Sequence, residues 1–318
     1  MTPLGYNGDL MVQMQVKLGP ATLRNPVVLA AGTSGVMGEI EDALNLSTIG
    51  AITTKSITKE PRIGNEPVRM VTLQSGMMNA IGLANEGIDS FIENQAQRAP
   101  SLDTVVIGSV AGDTIEAYVA VASAMDSIVG IDLVEINVSC PNTQDGLEFG
   151  GCPKSLTTLL NEIRPALSNS GMLVKLSAAP GDIRKHAQAA IDCGADALTL
   201  INTIPSLAID IESRTPKLSR GIGGVSGAII HPVAVRVVHE IYRDVAKDAN
   251  IPIIGTGGVL RWEDAAEFIL AGATAVGIGT ASFVNPASAQ NIAKKLTSWV
   301  KRQGCQSITE LIGELKLP

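Results

Sequence analysis

The feature that most constrains the fold is a regular alternation of short apolar runs with longer amphipathic stretches. Eight runs rich in Val, Ile, Leu and Ala each end in small or polar residues. They are PVVLAAG from Pro26, AITTKS from Ala51, VVIGSV from Val105, LVEINVSC from Leu133, LVKLS from Leu173, ALTLIN from Ala197, PIIGTGG from Pro252 and AVGIGTA from Ala275. The stretches between them, such as TIEAYVAVASAM and PVAVRVVHEIY, place apolar residues at helical spacing. Eight parallel strands that alternate with helices close most economically into a (β/α)8 TIM barrel.

The length and the remaining segments fit one such unit. The 318 residues exceed one average domain, but barrels of this size are common and no interdomain linker is evident, so we predict a single barrel domain over 1–318. Segment 11–23, MVQMQVKLGPATL, alternates polar and apolar residues around a Gly-Pro turn and predicts a hairpin at the bottom of the barrel. The connections 57–100 and 202–231 are too long for turns, and we expect them over the C-terminal face.

Composition excludes several classes of function. The net charge is -7 with scattered Lys and Arg, which argues against a nucleic-acid partner because phosphate contacts need clustered cations. No run approaches the roughly 20 apolar residues that span a bilayer, and no signal peptide is evident, so we expect a cytoplasmic protein without a membrane partner. Four cysteines and three histidines lie far apart in the sequence, which predicts no metal site and a reducing compartment.

Polar residues interrupt the apolar runs at specific places. Glu135, Asn137 and Ser139 share one face of the fourth run by period two. Lys175 lies in the apolar fifth run, and a buried ammonium needs an anion or a polar ligand. Glu135 on the neighbouring strand and a bound ligand both remain possible partners. Lys55 poses the same question, or it is simply solvated.

Glycine clusters end the last two runs, GTGGV at Gly257 and Gly258 and GIGTA at Gly279 and Thr280. Barrels often bind phosphate at this position, where bare backbone N–H groups meet a helix N-terminus. We therefore predict a phosphorylated ligand there. Cys140 follows the fourth run and is either a small buried hydrophobe or a thiol that exchanges protons, which would need a lowered pKa or exclusion of water.

The motifs INVSCPNT, ITTKSIT, NAIGL, VKLS, INT, GTGGV and GIGTA together give nearly the whole chain a resemblance to dihydroorotate dehydrogenases. The chain is most similar to the catalytic subunit of class 1B, which it resembles in the motif NAIGL followed by Asn85 and Gly87 and in the motif SCPN. Class 2 members carry serine at the position of Cys140. The resemblance implies an FMN flavoprotein of de novo pyrimidine (UMP) biosynthesis that oxidises (S)-dihydroorotate to orotate. Cys140 would take the proton from carbon 5 while carbon 6 passes hydride to FMN.

The resemblance also assigns the site residues. The positions that it implies for FMN are Ala31, Lys55, Ser56, Ser109, Asn137, Lys175, Ile201, Gly227, Gly257, Gly258, Gly279 and Thr280. Those that it implies for substrate are Lys55, Asn79, Ala80, Ile81, Gly82, Leu83, Asn137, Asn142, Asn202 and Thr203. Amide side chains suit a pyrimidine carboxylate because they donate and accept at once.

Partners are implied in the same way. A class 1B enzyme passes electrons to NAD through a separate subunit that carries FAD and a [2Fe-2S] cluster, in a heterotetramer built on a homodimer of catalytic subunits. A class 1A homodimer would use fumarate directly.

The chain departs from the family at two places, and other functions stay open. It has Ala31 where relatives usually have serine, and Ser109 where asparagine is common. Both side chains are shorter, which affects flavin affinity and potential rather than the fold. The rival enzymes are a dihydropyrimidine dehydrogenase unit and a lysine-based aldolase or isomerase barrel that uses Lys175. A flavin-binding scaffold without turnover is the non-enzymatic alternative.

Overall fold

Eight parallel strands close into a barrel in a computed structural model, which describes residues 12–138, 149–178 and 181–318. In chain order, which is also their order around the barrel, they are β1 (Val27–Leu29), β2 (Ala51–Thr53), β3 (Val105–Val110), β4 (Ile131–Asn137), β5 (Gly171–Leu176), β6 (Ala197–Leu200), β7 (Ile253–Thr256) and β8 (Ala275–Ile278). Each lies within or overlaps one of the apolar runs. The predicted (β/α)8 barrel is confirmed.

Helices follow the strands and form the outer layer. They are Gly87–Asn94, Ile115–Asp126, Pro153–Ile163, Ile183–Asp192, His231–Ile241, Lys247–Ala249, Trp262–Ala271, Ala281–Val284 and Ser288–Arg302. Between β1 and β2 the connection contains the short 3-10 turn Leu46–Thr48. Within the described ranges, no helix is both long and apolar enough to cross a membrane.

Local chemistry sets the helix ends. The hydroxyl of Thr114 accepts the amide of Ala117 at 3.1 Å and caps the helix Ile115–Asp126. Gly272 ends the helix Trp262–Ala271 in a left-handed conformation with φ 115°, where a Cβ atom would clash with the ring of Tyr242. On Pro153–Ile163 the stripe Leu156, Leu159, Leu160 and Ile163 is fully buried. Burial of each such side chain contributes roughly 1.5–3 kcal/mol, so this stripe holds the helix on the barrel.

The N-terminal hairpin pairs Val16–Leu18 with Ala21–Leu23. Its turn lies against the start of the barrel strands, because a Cβ atom on Gly171, the first residue of β5, would be 2.5 Å from Pro20 Cδ. Gly19 packs in the same way against Asp196, just before β6. The hairpin therefore covers the N-terminal end of the barrel, as predicted.

The two long connections join each other. Strands Met70–Leu73 and Gly76–Asn79 come from the first, and Ile204–Leu207 and Ile222–Ser226 from the second. They form one four-stranded antiparallel sheet, which we call the joint sheet, in which Gly76–Asn79 pairs with Ile222–Ser226. A second small ribbon pairs Ile209–Asp210 with Thr215–Pro216. Because the connections leave the barrel after β2 and β6, this sheet lies over the C-terminal face, which confirms that expectation.

A buried carboxylate ties one outer helix to the barrel. Asp126 ends the helix Ile115–Asp126, and its oxygens accept the amides of Ser168, Asn169 and Ser170 at 3.1, 3.0 and 2.7 Å. Burial disfavours the charged form, but these hydrogen bonds outweigh it and hold the pKa of Asp126 below its ordinary value. The carboxylate thus fixes the entry to β5.

We expect Asp126→Asn to destabilise the protein by about 2 kcal/mol near pH 7, because it removes charge-assisted acceptors from three amides. Since the folded pKa is lowered, this stabilisation is complete above the unfolded pKa of about 3.9 and is lost as the pH falls toward the folded value. Urea midpoints of both proteins, measured from pH 7 downward, should converge below about pH 4. A constant difference across that range would contradict the assignment.

Candidate functional site

Polar side chains from the ends of several strands form one connected group at the C-terminal face. Ser56 Oγ lies 2.8 Å from Ser109 Oγ, and Asn137 Nδ2 donates to Ser56 Oγ at 3.3 Å. Asn202 Nδ2 donates to Asn137 Oδ1 at 3.2 Å. Four of the predicted site residues, carried by or directly following β2, β3, β4 and β6, are therefore in direct contact. We call this set the polar relay: Ser56, Ser109, Asn137 and Asn202.

The backbone around the polar relay is firmly held. The hydroxyl of Tyr118 donates to Asn137 O at 2.7 Å, and Ser109 N donates to Thr54 Oγ1 at 2.9 Å. Beyond β6, Ile201 N donates to Thr256 O and Asn202 N donates to Leu176 O, both at 2.9 Å. These bonds extend the barrel ladder past the regular strands. The amide groups that face the open end thus project from a fixed backbone.

Lys175 lies on β5 beside the polar relay, in register with Asn137. Its Nζ is 3.8 Å from Glu135 Oε1, and the two side chains are only 8% and 3% exposed. Glu135 Oε2 accepts the hydroxyl of Thr199 at 2.8 Å, whereas Oε1 has no hydrogen-bond partner among the described residues. Glu135 is therefore a neighbour of the Lys175 ammonium, one of the two possibilities left open by the sequence. At 3.8 Å this ion pair is not a close hydrogen bond, and the ammonium keeps donor capacity for a ligand.

Lys55 stands apart from this pair. It follows the last residue of β2 by two positions, between Thr54 and Ser56, and is half-buried at the open end. In the part of the chain that the structure describes, no ion pair engages its ammonium. A cation placed there, next to Ser56 of the polar relay, is available to an anionic ligand.

Two residues that the resemblance predicts for substrate, Asn79 and Thr203, meet at Gly224. Asn79 Nδ2 donates to Gly224 O at 3.5 Å, and a Cβ atom on Gly224 would lie 2.0 Å from Thr203 Oγ1. The joint sheet thus brings Asn79 and Thr203 to the same glycine. The loop after Asn79 is held by Asn65, whose side chain donates to Ala80 O at 2.8 Å and whose amide donates to Ile81 O at 3.0 Å. Gly82 and Leu83 complete the loop with φ values of 75° and 54°.

The glycine clusters line the ends of β7 and β8. Gly258 packs so closely that a Cβ atom would be 2.7 Å from Gly227 O and 2.8 Å from His231 Cβ. Gly279 differs, since the nearest atoms to its Cβ position, on Ala30 and Thr33, are 4.0 Å away, and nothing lies within 4 Å of that position at Gly32. Gly279 follows β8, and Ala31 immediately precedes Gly32 in the loop after β1. The backbone is therefore accessible between β8 and β1.

Unpartnered hydroxyl groups occur beside the same glycines. The buried Oγ atoms of Ser34, Ser226 and Ser282 and the buried Oγ1 of Thr256 have no hydrogen-bond partner among the described residues. Ser34 lies in the loop after β1, Ser226 precedes Gly227, Thr256 precedes Gly257, and Ser282 follows Thr280 by two positions. Such groups, together with backbone N–H groups at the start of the helix His231–Ile241, suit a phosphate ester. The residues present fit a phosphorylated ligand.

Two predicted residues, Cys140 and Asn142, lie outside the described residues. Two of the remaining thiols have contrasting environments. Cys152 is exposed, and the hydroxyl and amide of Ser155 lower its pKa, while burial raises the pKa of Cys193. Cys152 is thus the more reactive of these two thiols.

Sequence reasoning missed two polar residues. Thr199, in an apolar strand, is the hydroxyl partner of Glu135. His231 Nδ1 lies 2.8 Å from Gly257 O and links the glycine cluster of β7 to a helix start. A threonine in a strand carries no functional signal by itself. The motif GTGGV predicted a ligand site near Gly257, but it did not predict that His231 contacts Gly257 O.

Fold and site together define a class: a (β/α)8 barrel enzyme whose C-terminal face combines amide side chains, a buried lysine and a glycine-lined edge. A family model described as Dihydroorotate dehydrogenase matches residues 13–300. The chain belongs to this family of oxidoreductases.

Curated relatives cover nearly its full length. The chain is 44% identical over 304 residues to the dihydroorotate dehydrogenase B (NAD(+)), catalytic subunit, of Trichlorobacter lovleyi, covering 95% of this chain and 98% of that protein. It is 41% identical to the protein of that name from Bacteroides thetaiotaomicron (96% and 100% covered) and 42% identical to that from Geobacter sp. (96% and 98% covered). The sequence-based family resemblance is confirmed.

Proposed function

We propose that this protein oxidises (S)-dihydroorotate to orotate in de novo pyrimidine biosynthesis, as the catalytic subunit of an NAD-linked class 1B enzyme. The observation that carries the proposal is the polar relay beside Lys175, on a chain whose full-length relatives bear that name. The proposal includes a single FMN-binding barrel domain over residues 1–318. The free thiols of Cys152, Cys193 and Cys305 favour a reducing compartment, so the proposal places the protein in the cytoplasm.

FMN is the cofactor in this proposal. Its phosphate would be held at Gly257, Gly258, Gly279 and Thr280, with Gly227 and the nearby unpartnered hydroxyl groups. Ala31, Ser56, Ser109 and Ile201 would contact the rest of the flavin. When bound, FMN supplies the acceptor for the hydride that leaves carbon 6 of dihydroorotate.

Lys175 stabilises negative charge at the open end. Its ammonium lies in a nearly water-free environment, where a charge acts more strongly on a ligand than it would in water. Glu135 on its other side offsets part of the cost of burying it. We assign Lys175 to the pyrimidine edge of the flavin, where reduction adds negative charge.

Amide groups and Lys55 recognise the substrate. Asn79, Asn137, Asn202 and Thr203 present donors and acceptors from fixed backbone positions, and the loop Ala80, Ile81, Gly82 and Leu83 adds backbone groups. Asn142 joins them in the proposal from the motif alone. A pyrimidine carboxylate needs both kinds of partner along its rim, and the Lys55 ammonium suits its carboxylate.

Cys140 acts as the base that accepts the proton from carbon 5. In the sequence, Cys140 comes three positions after Asn137, the last residue of β4. Its position along the chain is therefore at the C-terminal end of that strand. Proton removal by a positioned thiolate contributes to catalysis when the pKa of the thiol is near the working pH or water is excluded.

Electrons leave through a partner in this proposal. The relatives are named as catalytic subunits, which supports a separate electron-transfer subunit with FAD and a [2Fe-2S] cluster that reduces NAD. Exposed apolar residues on the joint sheet, namely Leu207 and Ile222, which pair in register, and the adjacent Ile209, support a homodimer at the centre of a heterotetramer.

We expect anaerobic dihydroorotate to bleach the protein-bound flavin within seconds in a stopped-flow spectrometer. NAD should restore the colour only when a candidate FAD and iron-sulfur partner is added. Bleaching by dihydrouracil instead would indicate a dihydropyrimidine dehydrogenase unit, and rapid recolouring by fumarate alone would indicate class 1A. If the protein binds flavin but no substrate bleaches it, the protein is a flavin-binding scaffold without turnover. If borohydride traps a Schiff base at Lys175, the protein is a lysine-based aldolase or isomerase.

A further inference from the structure

His231 joins two parts of the glycine-lined edge. It is the first residue of the helix His231–Ile241, directly after the turn that starts at Gly227. Its ring Nδ1 lies 2.8 Å from the carbonyl oxygen of Gly257. Because a carbonyl oxygen only accepts, Nδ1 carries the hydrogen and donates it.

This bond fixes the orientation of a neighbouring amide. The Gly257 carbonyl and the Gly258 N–H belong to the same planar, trans peptide unit, so they point in opposite directions. Gly257 and Gly258 have φ values of 147° and 69°, which side chains rarely allow. A peptide between two such glycines can rotate easily, and the His231 bond holds it in one orientation.

The amide held in this way is available to a ligand. In the described part of the chain, the Gly258 N–H donates to no backbone or side-chain acceptor. We propose that His231 is a positioning residue, which holds the Gly257 carbonyl and thereby aims the Gly258 N–H at the phosphate of the cofactor. This inference rests on the proposed function, which places that phosphate at Gly257 and Gly258.

The rest of the His231 ring is held by neighbours. It packs edge-to-face on Phe268, with centroids 5.2 Å apart; its Nε2 lies 3.5 Å from Glu267 Oε2 but has no hydrogen-bond partner among the described residues. Asp264 is also close, since polar atoms of the His231, Asp264 and Glu267 side chains lie within 4.8 Å of one another. The Asp264 carboxylate, however, accepts the amides of Leu260 and Arg261. The proposed role requires only the Nδ1 hydrogen that Gly257 O accepts.

The test compares FMN with riboflavin, which lacks only the phosphate. The flavin is removed from the full-length protein and each ligand is titrated back, with quenching of flavin fluorescence as the readout. His231→Leu should raise the Kd for FMN about 5- to 10-fold, the effect of one lost hydrogen bond, and leave the Kd for riboflavin unchanged. His231→Asn has nearly the same shape as the leucine variant but offers an amide donor, and should return the Kd for FMN to within about twofold of wild type.

Controls separate the possible failures. His231→Phe keeps the ring against Phe268 and lacks the donor, so it should behave like His231→Leu and replaces it if that variant does not fold. Glu267→Gln should leave both Kd values unchanged. Equal loss in the leucine and asparagine variants, or equal loss of FMN and riboflavin, overturns the role of His231. Wild-type protein without preference for FMN over riboflavin overturns the proposed phosphate site itself.

Discussion

Cys140→Ala should retain FMN and slow its reduction by dihydroorotate by a factor of about 100 to 10,000, the usual contribution of a general base. Carbon 5 of the substrate holds its proton until a base takes it. The polar relay contains only amides and hydroxyl groups, which are not bases near neutral pH, and the nearby carboxylate of Glu135 is paired with Lys175. Stopped-flow flavin absorbance under anaerobic conditions measures the rate.

Two matched variants make this result specific. Cys140→Ser keeps the shape but has a far weaker acid group, so its reduction should also be slow and should accelerate as the pH rises. Cys152→Ala removes the exposed thiol and should reduce at the wild-type rate. Wild-type rates in Cys140→Ala would remove this thiol from the mechanism.

Lys175→Met should weaken FMN binding by about 10- to 100-fold and shift the flavin potential to more negative values. The substitution keeps the length of the side chain but removes a charged hydrogen bond donor, which is worth roughly 1.5–3 kcal/mol to a buried partner. It also leaves Glu135 buried without its cation, which costs about 3–5 kcal/mol of stability. Fluorescence titration, dye-coupled redox titration and thermal unfolding measure the three effects.

A double variant separates binding from stability. Lys175→Met with Glu135→Gln removes the uncompensated carboxylate, so most of the lost stability should return. The amide introduced by Glu135→Gln should still accept the Thr199 hydroxyl, which Glu135 accepts at 2.8 Å in the native protein. Flavin affinity and potential should remain altered. If the double variant recovers them as well, the role of Lys175 is to balance Glu135.

Much of this architecture was predictable because the apolar strands of a barrel alternate regularly with amphipathic helices along the sequence. Ser56, Ser109 and Asn137 could be grouped in advance, since residues at the carboxyl ends of parallel strands must meet at one edge. The contact of Asn79 and Thr203 at Gly224 was not predictable in detail, because it depends on antiparallel register between segments more than a hundred residues apart. The bond from His231 to Gly257 was hidden for another reason, since its acceptor is a main-chain atom that every sequence contains.

The joint sheet has a consequence for engineering. Each long connection forms a hairpin of its own, and main-chain hydrogen bonds between Gly76–Asn79 and Ile222–Ser226 fix the position of one hairpin relative to the other. A chimaera that receives only one of them from a relative would pair foreign edges and misplace Asn79 relative to Thr203. Grafting a new specificity onto this barrel therefore requires transplanting both connections as one block.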